Sequence, residues 1–560
     1  MALTHDRIQA RLTAPGGLFE MDEIEVRGHP IRTWKHAPPH FRALLSGSRS
    51  HGGKPFLGYD GDWITFDDHY RRAAALALCL AGDYGVRKGD RVAIAMRNYP
   101  EWVIAFSAVL ACGAVAVPLN AWWTRPELEY ALTDCGATVL IADGERAVRM
   151  RDTPLTARLI VTRPLEEPPP GTALLADLVG EPGGEVGLPD VRVEPEDPAT
   201  IFYTSGTTGR PKGALGSHRN LGEAPLTIAY SLTRAAALAG RDAAHAVRRR
   251  RVTLLAVPLF HVTGCFAAMI PSLFSGSAVV LMYKWDPGAA LRLIETERVT
   301  GIAGVPTNAW QLMSHPGLGE HDVSSLGSLS YGGAPAPPRL VERIAEALPG
   351  RTPSNGYGMT ETTSLVIHNC GADYAARPDS VGRPIPTVDV RITGPSGHDL
   401  PPGQVGELRV RGGPVITGYW NRPDATADTF TDGWLRTGDL ARIDPDGYVY
   451  LVDRAKDVVI RGGENVYCAE VEAALFEHPA VDDAAVFGIP HDELGEEVGA
   501  VIRPLPGAGL EPGELTAFLR ERIAPFKVPA RFWFRDTELP RNAGGKLLKT
   551  GLRREVLGSS

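Results

Sequence analysis

Residues 91–119 read RVAIAMRNYPEWVIAFSAVLACGAVAVPL. A short apolar run, Arg91–Met96, leads into Pro100–Ala111, which is apolar on every side, and then into a second short run, Ala114–Pro118. Short apolar runs bounded by Gly or Pro read as buried strands, and a dozen apolar residues between them as a buried helix. The uncharged stretch from Trp102 to Leu119 is near the length of a membrane span. Gly113 divides it and Pro118 ends it, so the spacing predicts a helix followed by a strand and no membrane span.

The same rhythm continues outward. Phe66–Tyr84 and Arg125–Cys135 read as helices and Thr138–Ala142 as a strand. It returns from Thr253 to about Gly333, with TLLAVPL, SAVVLM and GIAGVP as buried strands. This alternation predicts an α/β fold with parallel-rich sheets. From about Ser380 the segments VDVRITG, GELRVRG and GYVYLVD read as an antiparallel β subdomain. The last hundred residues read as a small α+β unit, with helices at Cys468–Glu477 and Pro512–Ile523 and strands at Ala484–Phe487 and Val498–Arg503. The first fifty or so residues, rich in His, Pro and Arg, read as irregular. Residues 166–190 and 392–404 read as surface connections. Gly222–Val252 carries no pattern that assigns it, and Arg248–Arg251 reads as a solvated turn.

Composition sets outer limits. At roughly 100–200 residues per domain, 560 residues allow about three or four units. A hydrophobic fraction of 44% and a charged fraction of 22% exclude wholesale disorder. A net charge of −8 argues against nucleic-acid binding, which needs clustered excess Lys and Arg. The 62 glycines and 46 prolines follow no G-X-Y period, so a collagen-like chain is excluded. Six cysteines without a C-x-x-C pair predict neither a zinc site nor a disulfide framework, and a reducing cytoplasm fits them. The N-terminus lacks the apolar core of a signal peptide.

The chemistry is carried by loops. Tyr203-Thr-Ser-Gly-Thr-Thr-Gly-Arg-Pro-Lys-Gly213 follows the apolar Ile201 and Phe202. Its hydroxyls at Ser205, Thr207 and Thr208, its glycines Gly206 and Gly209, and the cation of Lys212 suit the wrapping of polyphosphate oxygens. The G-x-x-x-x-G-K-[ST] spacing of a Walker A loop is absent. Further along stand Pro258-Leu-Phe-His-Val-Thr-Gly264, Tyr331-Gly-Gly-Ala-Pro335 and Asn355-Gly-Tyr-Gly-Met-Thr-Glu361. Gly433-Trp-Leu-Arg-Thr-Gly-Asp439, Asp453-Arg-Ala-Lys-Asp457, Arg461-Gly-Gly-Glu-Asn-Val-Tyr467 and Pro540-Arg-Asn-Ala-Gly-Gly-Lys546 follow. A lone RGG is no RNA motif in an acidic chain.

In this order, over about residues 60–555, these segments resemble the adenylate-forming (ANL) superfamily, and within it the acyl-CoA synthetases of the AMP-dependent synthetase and ligase family. The resemblance implies an N-terminal adenylation domain, residues 1–455, and a mobile C-terminal domain, residues 456–560, hinged at Lys456. It implies that Thr204, Ser205, Gly206, Thr207, Thr208, Gly209 and Lys212 hold the phosphates of ATP. Gly333, Ala334 and Pro335 face the adenine with Asn355, Gly356, Tyr357, Gly358 and Met359, while Thr360 reaches a phosphate. Glu361 holds Mg²⁺, Asp439 the ribose hydroxyls, and Arg454 ribose and phosphate. Lys546 is the C-terminal lysine of adenylation, although Gly544 stands where the family has Ser or Thr. Thr204, Lys212, Glu361, His261 and Lys546 are thereby the catalytic candidates. Arg461, Gly462, Gly463 and Glu464 line the pantetheine tunnel of members that use CoA.

For the acyl group the resemblance implies His261, Val262, Cys265, Thr307, Gly332 and Gly358, with Thr263, Phe266, Met269, Asn308 and Trp310 around them. Members that activate amino acids carry an acidic residue where this chain has His261, so the substrate expected is a carboxylic acid without an α-amino group. Its carboxylate is ionised at neutral pH and needs no base, whereas the approach of two anions needs positive charge. The implied activity is therefore acyl-adenylate formation followed by thioester formation with CoA, on a fatty or aryl acid. The alternatives are transfer to a carrier-protein pantetheine or to an amine. A monomer or homodimer is expected.

Overall fold

The computed structural model describes residues 5–180, 186–204, 210–241, 250–334, 336–462, 464–542 and 545–558. The opening stretch forms strand Arg91–Ala95, helix Pro100–Ala111 and strand Val115–Pro118. Every residue of that helix except Glu101 is buried. This is why it lacks a polar face. Gly113, at φ +70°, turns the chain from helix into strand. No helix among the described residues is long and apolar enough to cross a membrane.

These strands belong to an eight-stranded sheet. Pro198–Thr204, Val115–Pro118, Arg91–Ala95, Val139–Asp143, Arg158–Thr162 and Ala173–Leu174 run parallel in that order. Lys212–Ser217 returns antiparallel beside Pro198–Thr204. A nine-stranded sheet has a parallel centre in the order Thr352–Met359, Ser328–Gly332, Gly301–Gly304, Val252–Leu255, Ala278–Leu281, Pro55–Tyr59, with antiparallel strands at both edges. Val92 and Ile141 of the first sheet and Leu57 and Val279 of the second share one buried core with the helix Pro100–Ala111. Val388–Thr393, Gly406–Gly412, Trp434–Ile443 and Val449–Arg454 form an antiparallel sheet. Residues 459–534 hold a further sheet with its own core around Val471, Val486 and Leu515.

The first fifty residues are not irregular. They form helix His5–Leu12, the hairpin Met21–Val26/His29–Trp34 and helix Phe41–Ser48. Arg27 (φ 51°) and Gly28 (φ 77°) make the tight turn, whose two positive φ angles match the twist of the strands. The unassigned segment begins as helix His218–Leu238, and residues 242–249 lie outside the described residues. Of the arginine run, Arg248 and Arg249 therefore carry no description. Arg250 donates to the Pro55 carbonyl, and Arg251 lines a cavity rather than forming a solvated turn. It is two residues before Thr253, so strand alternation brings both to the same face of the sheet.

Glu223 fastens the N-terminal hairpin to this helix. Its Oε1 accepts from Thr33 Oγ1 and, at 3.1 Å, from the Trp34 amide. Burial pushes its carboxyl from 4.5 up to about 7. The folded chain thus binds this proton more tightly than the unfolded chain, so this contribution to stability falls as pH rises from about 4.5 to 7 and is flat above. Glu223→Gln removes the ionisation. Thermal unfolding of both proteins across this range should show the difference moving in favour of the variant as pH rises. A difference independent of pH would refute the raised carboxyl.

Candidate active site

Asn98, just past strand Arg91–Ala95, donates to the Val257 carbonyl and accepts from the Leu259 amide, just past strand Val252–Leu255, so carboxyl ends of the two large sheets meet, and the carboxyl ends of strands are where open α/β sheets bind ligands. Strand Pro198–Thr204 ends there, and cross-strand pairing sets Thr204 opposite Lys212. Ser205, Gly206, Thr207, Thr208 and Gly209 lie outside the described residues. Gly213 is required next to Lys212, because a Cβ would meet Ile201 Cγ2 at 2.6 Å. The Lys212 ammonium lies 5.3 Å from the Tyr419 ring centroid, and the Tyr419 hydroxyl donates to Glu361 Oε1 at 2.6 Å. Thr204, Lys212 and Glu361 are thereby brought together. Glu361 is buried, which raises its pKa.

A second cluster adjoins the first. Strand Thr352–Met359 carries Asn355 and Tyr357, both buried. The Tyr357 hydroxyl donates to Asp439 Oδ2 at 2.6 Å, and Arg454 Nε lies 3.1 Å from Asp439 Oδ1. Asp439 and Arg454 face each other across antiparallel strands. Burial and the Asp439 charge hold the Tyr357 phenol well above its usual range. Gly332 and Gly356 pair side by side, and a Cβ on Gly332 would stand 2.3 Å from the Gly356 carbonyl oxygen. Gly333 turns the chain at φ +76°. Ala334 follows it, and Pro335 lies outside the described residues. Met359 ends the strand, and Thr360 begins the short turn that carries Glu361.

The C-terminal unit contributes Lys546. Its turn is tied by the Asn542 amide donating to the Lys546 carbonyl at 2.9 Å and by the Lys546 amide donating to Asn542 Oδ1 at 2.9 Å. Arg541 makes a two-pronged ion pair with Asp483. Gly545, at φ +78°, rests on Val305: a Cβ there would meet Val305 Cγ2 at 2.9 Å. Gly544 lies outside the described residues. Burial, with the nearby positive charges of Arg454 and Lys456, brings the Lys546 ammonium down from 10.5 to about 8, against the opposing pull of Asp457 and Asp439. The lysine therefore reaches the Asp439–Arg454 pair from another unit of the chain. Lys456 is exposed in the turn between strands Val449–Arg454 and Val459–Arg461. Arg461 pairs with Glu464 across a narrow hairpin, and Gly462 turns it at φ 57°. Arg461, Gly462 and Glu464 make no hydrogen bond or ion pair with the nucleotide cluster among the described residues, and Gly463 lies outside them.

Beside Tyr357 opens a cavity of about 210 Å³. Val262, Thr263, Gly332 and Gly358 line it. Cys265, Phe266 and Met269 do not; they belong to the core between the large sheets. The reason is a π-helical turn at Cys265–Met269, which rotates the following face so that Ala267 and Ala268 meet the cavity. Thr307, Asn308 and Trp310 also lie off the cavity, because helix Pro306–Met313 leads away from the sheet end. The Asn308 side chain caps that helix at Val305, and Trp310 lies under Arg343. His261 does not line the cavity either. Its Nε2 is enclosed without a hydrogen-bond partner among the described residues, and burial lowers its pKa to about 4, so the ring is neutral at pH 7.

Two contributors escaped sequence reasoning. Tyr419 is joined to the site by its pairing with Ala214. Pro225, Ile228, Ala229 and Leu232 line the cavity, and their i, i+3, i+4, i+7 spacing was the available signal.

Comparison with known proteins bears on this arrangement. The profile of the AMP-binding enzyme family matches residues 46–420, and that of the AMP-binding enzyme C-terminal domain matches residues 470–546. A feruloyl-CoA synthase from an Amycolatopsis species is 41% identical over 496 residues, covering 89% of this chain and 94% of that one. The o-succinylbenzoate CoA synthetase of Bacillus subtilis, solved with its acyl-adenylate intermediate, superposes with a TM-score of 0.77 at 31% identity, over 92% and 98% of the two chains. An amide bond synthetase from Marinactinospora thermotolerans superposes with a TM-score of 0.81 at 29% identity, over 92% and 99%. The chain belongs to the AMP-binding enzyme family, among the ATP-dependent, AMP-forming acyl-CoA synthetases and ligases.

Proposed function

We propose that the chain joins a carboxylic acid to CoA in two steps. The acid's carboxylate oxygen attacks the α-phosphorus of ATP, the bond to the β-phosphate oxygen breaks, and pyrophosphate leaves. The CoA thiol, losing its proton, then attacks the acyl carbon and AMP departs. The observation that carries this reading is the Tyr357–Asp439–Arg454 cluster beside the cavity, with Tyr357 bordering both and the Lys546 turn seated on Val305.

In this reading Thr204, Lys212 and the loop Ser205–Gly209 hold the triphosphate. Gly333, Ala334, Pro335 and Asn355–Met359 frame the adenine, and Thr360 reaches a phosphate. Asp439 takes the ribose hydroxyls, and Lys546 offsets charge at the α-phosphate. The donor set also fits magnesium. Glu361 offers one buried hard oxygen ligand, and no cluster of three or more metal-binding side chains exists among the described residues. Such a site suits an ion whose other ligands are phosphate oxygens and water. Bound there, magnesium would supply further charge neutralisation. Residues 1–455 and 456–560 act as two bodies about Lys456, so that Arg461–Glu464 replaces the Lys546 turn for the second step. His261, neutral and off the cavity, brings no charge to the acid. All six cysteines are unbridged thiols, which supports a cytoplasmic setting.

The likeness to an amide bond synthetase makes an amine the second acceptor to test. The assay is pyrophosphate release over a panel of acids, with CoA or amines, together with mass detection of the acyl product. We expect acyl-CoA and AMP in equal amounts. Acid-dependent pyrophosphate release that yields an amide and no thioester would overturn the thiol acceptor.

A further inference from the structure

Helix Cys468–Phe476 of the C-terminal unit has no caps of its own. Its N-cap, Tyr467, makes no side-chain capping bond, and its last turn carries no basic residue. The acid in its first turn, Glu470, pairs with Lys527 at 2.7 Å. The first amides and last carbonyls of a helix lack partners within it, and they leave positive charge at one end and negative charge at the other. Both ends are met by charged side chains that precede Lys456 in the chain. Asp453, on strand Val449–Arg454, accepts from the Ala469 amide at 3.4 Å. Arg339, the first residue of helix Arg339–Ala347, donates to the Phe476 carbonyl at 3.5 Å. The signs are those the helix dipole favours, a carboxylate at the amide end and a guanidinium at the carbonyl end. Nine residues set the two contacts about 13 Å apart. Contacts so far apart fix the direction of the helix, where one alone would let it pivot.

The same helix leads to Lys546. It carries Glu472, whose Oε1 lies 2.7 Å from Lys549 Nζ and accepts from the Val486 amide at 2.8 Å. Both side chains are largely buried. Against the cost of burial, Glu472, with Asp453 among the further charges, holds the Lys549 ammonium above its usual range. Lys549 stands three residues after Lys546 and begins helix Lys549–Leu557. Parting a buried ion pair is strongly unfavourable, so helix Cys468–Phe476 and the chain that follows Lys546 move together.

Resting on the ligase reading above, we propose that Asp453 and Arg339 are positioning residues for the first step: by holding the two ends of helix Cys468–Phe476 they hold the Lys546 turn, through Glu472 and Lys549, at the nucleotide. Neither touches the reacting atoms. Turning residues 456–560 about Lys456 for the second step parts both contacts, because Asp453 and Arg339 stay with the other body. The two residues therefore favour the first arrangement over the second, and the loss of either shifts the population toward the second.

The test uses the full-length enzyme and the variants Asp453→Asn and Arg339→Met. Pyrophosphate exchange should fall about tenfold in Asp453→Asn and about threefold in Arg339→Met. Acyl-CoA formation from a supplied acyl-adenylate should hold or rise in both. The ratio of the two rates is taken within one protein, so it does not depend on how much of a variant is folded. A ratio equal to that of the wild type, whether both rates fall together or neither moves, would overturn the proposal. Hydrogen exchange in the full-length protein reads the held helix without any chemistry. Exchange at the amides of residues 469–471 should quicken in both variants. Arg339 meets the opposite end of the helix, so a faster exchange there in Arg339→Met reports release of the whole helix and not the loss of a local contact. Unchanged exchange in Arg339→Met would overturn this inference. If the wild type forms no adenylate with any acid while exchange moves as expected, the ligase reading alone falls.

Discussion

Replacing Lys546 with alanine is expected to lower acyl-adenylate formation by about 10²–10³ in kcat, while thioester formation from a supplied acyl-adenylate stays close to the wild-type rate. The first step brings a carboxylate against a triphosphate, and charge builds on the α-phosphate oxygens as the new bond forms. A cation placed there in a water-poor site acts on that developing charge far more strongly than it would in bulk water. Lys546 is such a cation, held by a turn seated on Val305 and close to Asp439 and Arg454. The second step expels AMP and gains nothing from a lysine lodged beside the α-phosphate. Pyrophosphate exchange reads the first step, and acyl-CoA formation from synthetic adenylate reads the second. Equal loss in both would show that the turn is needed for the fold of the site and not for one step. The ammonium supplies a pH test as well. Its pKa of about 8 means that the active, protonated form is lost as pH rises through 8 in the free enzyme. The value of kcat/KM for ATP should therefore fall above pH 8. Lys546→Arg, charged throughout, should lack that limb whatever its absolute rate.

The sequence and the structure agree most closely where local pattern and burial coincide. Helices Pro100–Ala111 and Arg125–Cys135 have the bounds that their apolar runs and flanking Pro or Gly residues predict. The loop segments proposed to hold the nucleotide stand out in the sequence because their glycines and hydroxyls have few other uses at such spacing. What escaped depends on partners distant in the chain. Tyr419 reaches Glu361 only because strand Gly418–Tyr419 adds to the edge of Lys212–Ser217, some two hundred residues earlier. The cavity wall was misread at Cys265, Phe266 and Met269 because one π-helical turn changes which residues face inward, and nothing in GCFAAM announces it. Strand Val481–His491 is far longer than Ala484–Phe487 because pairing with Gly495–Pro504 carries Asp483 and Pro490 into a ladder that their propensities oppose. Glu223 was invisible as a special residue. Its raised pKa comes from burial, against the opposing hydrogen bonds from Thr33 and Trp34 of a hairpin far away in the chain.

Asp439→Asn should lower kcat/KM for ATP by roughly 10²-fold, almost wholly through the nucleotide. A carboxylate only accepts, with about four lone-pair sites. Tyr357 takes one at 2.6 Å and Arg454 another at 3.1 Å, leaving two for a pair of neighbouring ribose hydroxyls. Asparagine has nearly the same shape but turns half of these acceptors into donors. Whichever way its amide is turned, an N–H confronts either the Tyr357 hydroxyl or the Arg454 guanidinium, and only one oxygen remains for the ribose. Hydrogen bonds to a charged group contribute about 1.5–3 kcal/mol each, so the loss of one or two gives the expected factor. The same change leaves Arg454 without its paired charge and frees it to pull on the α-phosphate and to repel Lys546 more strongly. If that charge is what keeps the lysine near 8, its repulsion grows in the variant, and the fall in kcat/KM with pH should begin lower. The measurement is kcat/KM for ATP from pH 6 to 9 in both proteins, with the 2′-deoxy nucleotide alongside. The wild type should discriminate against the deoxy nucleotide and the variant should discriminate much less. Undiminished discrimination in the variant would mean that the ribose is held elsewhere, and Asp439 would then serve only to orient Tyr357 and Arg454.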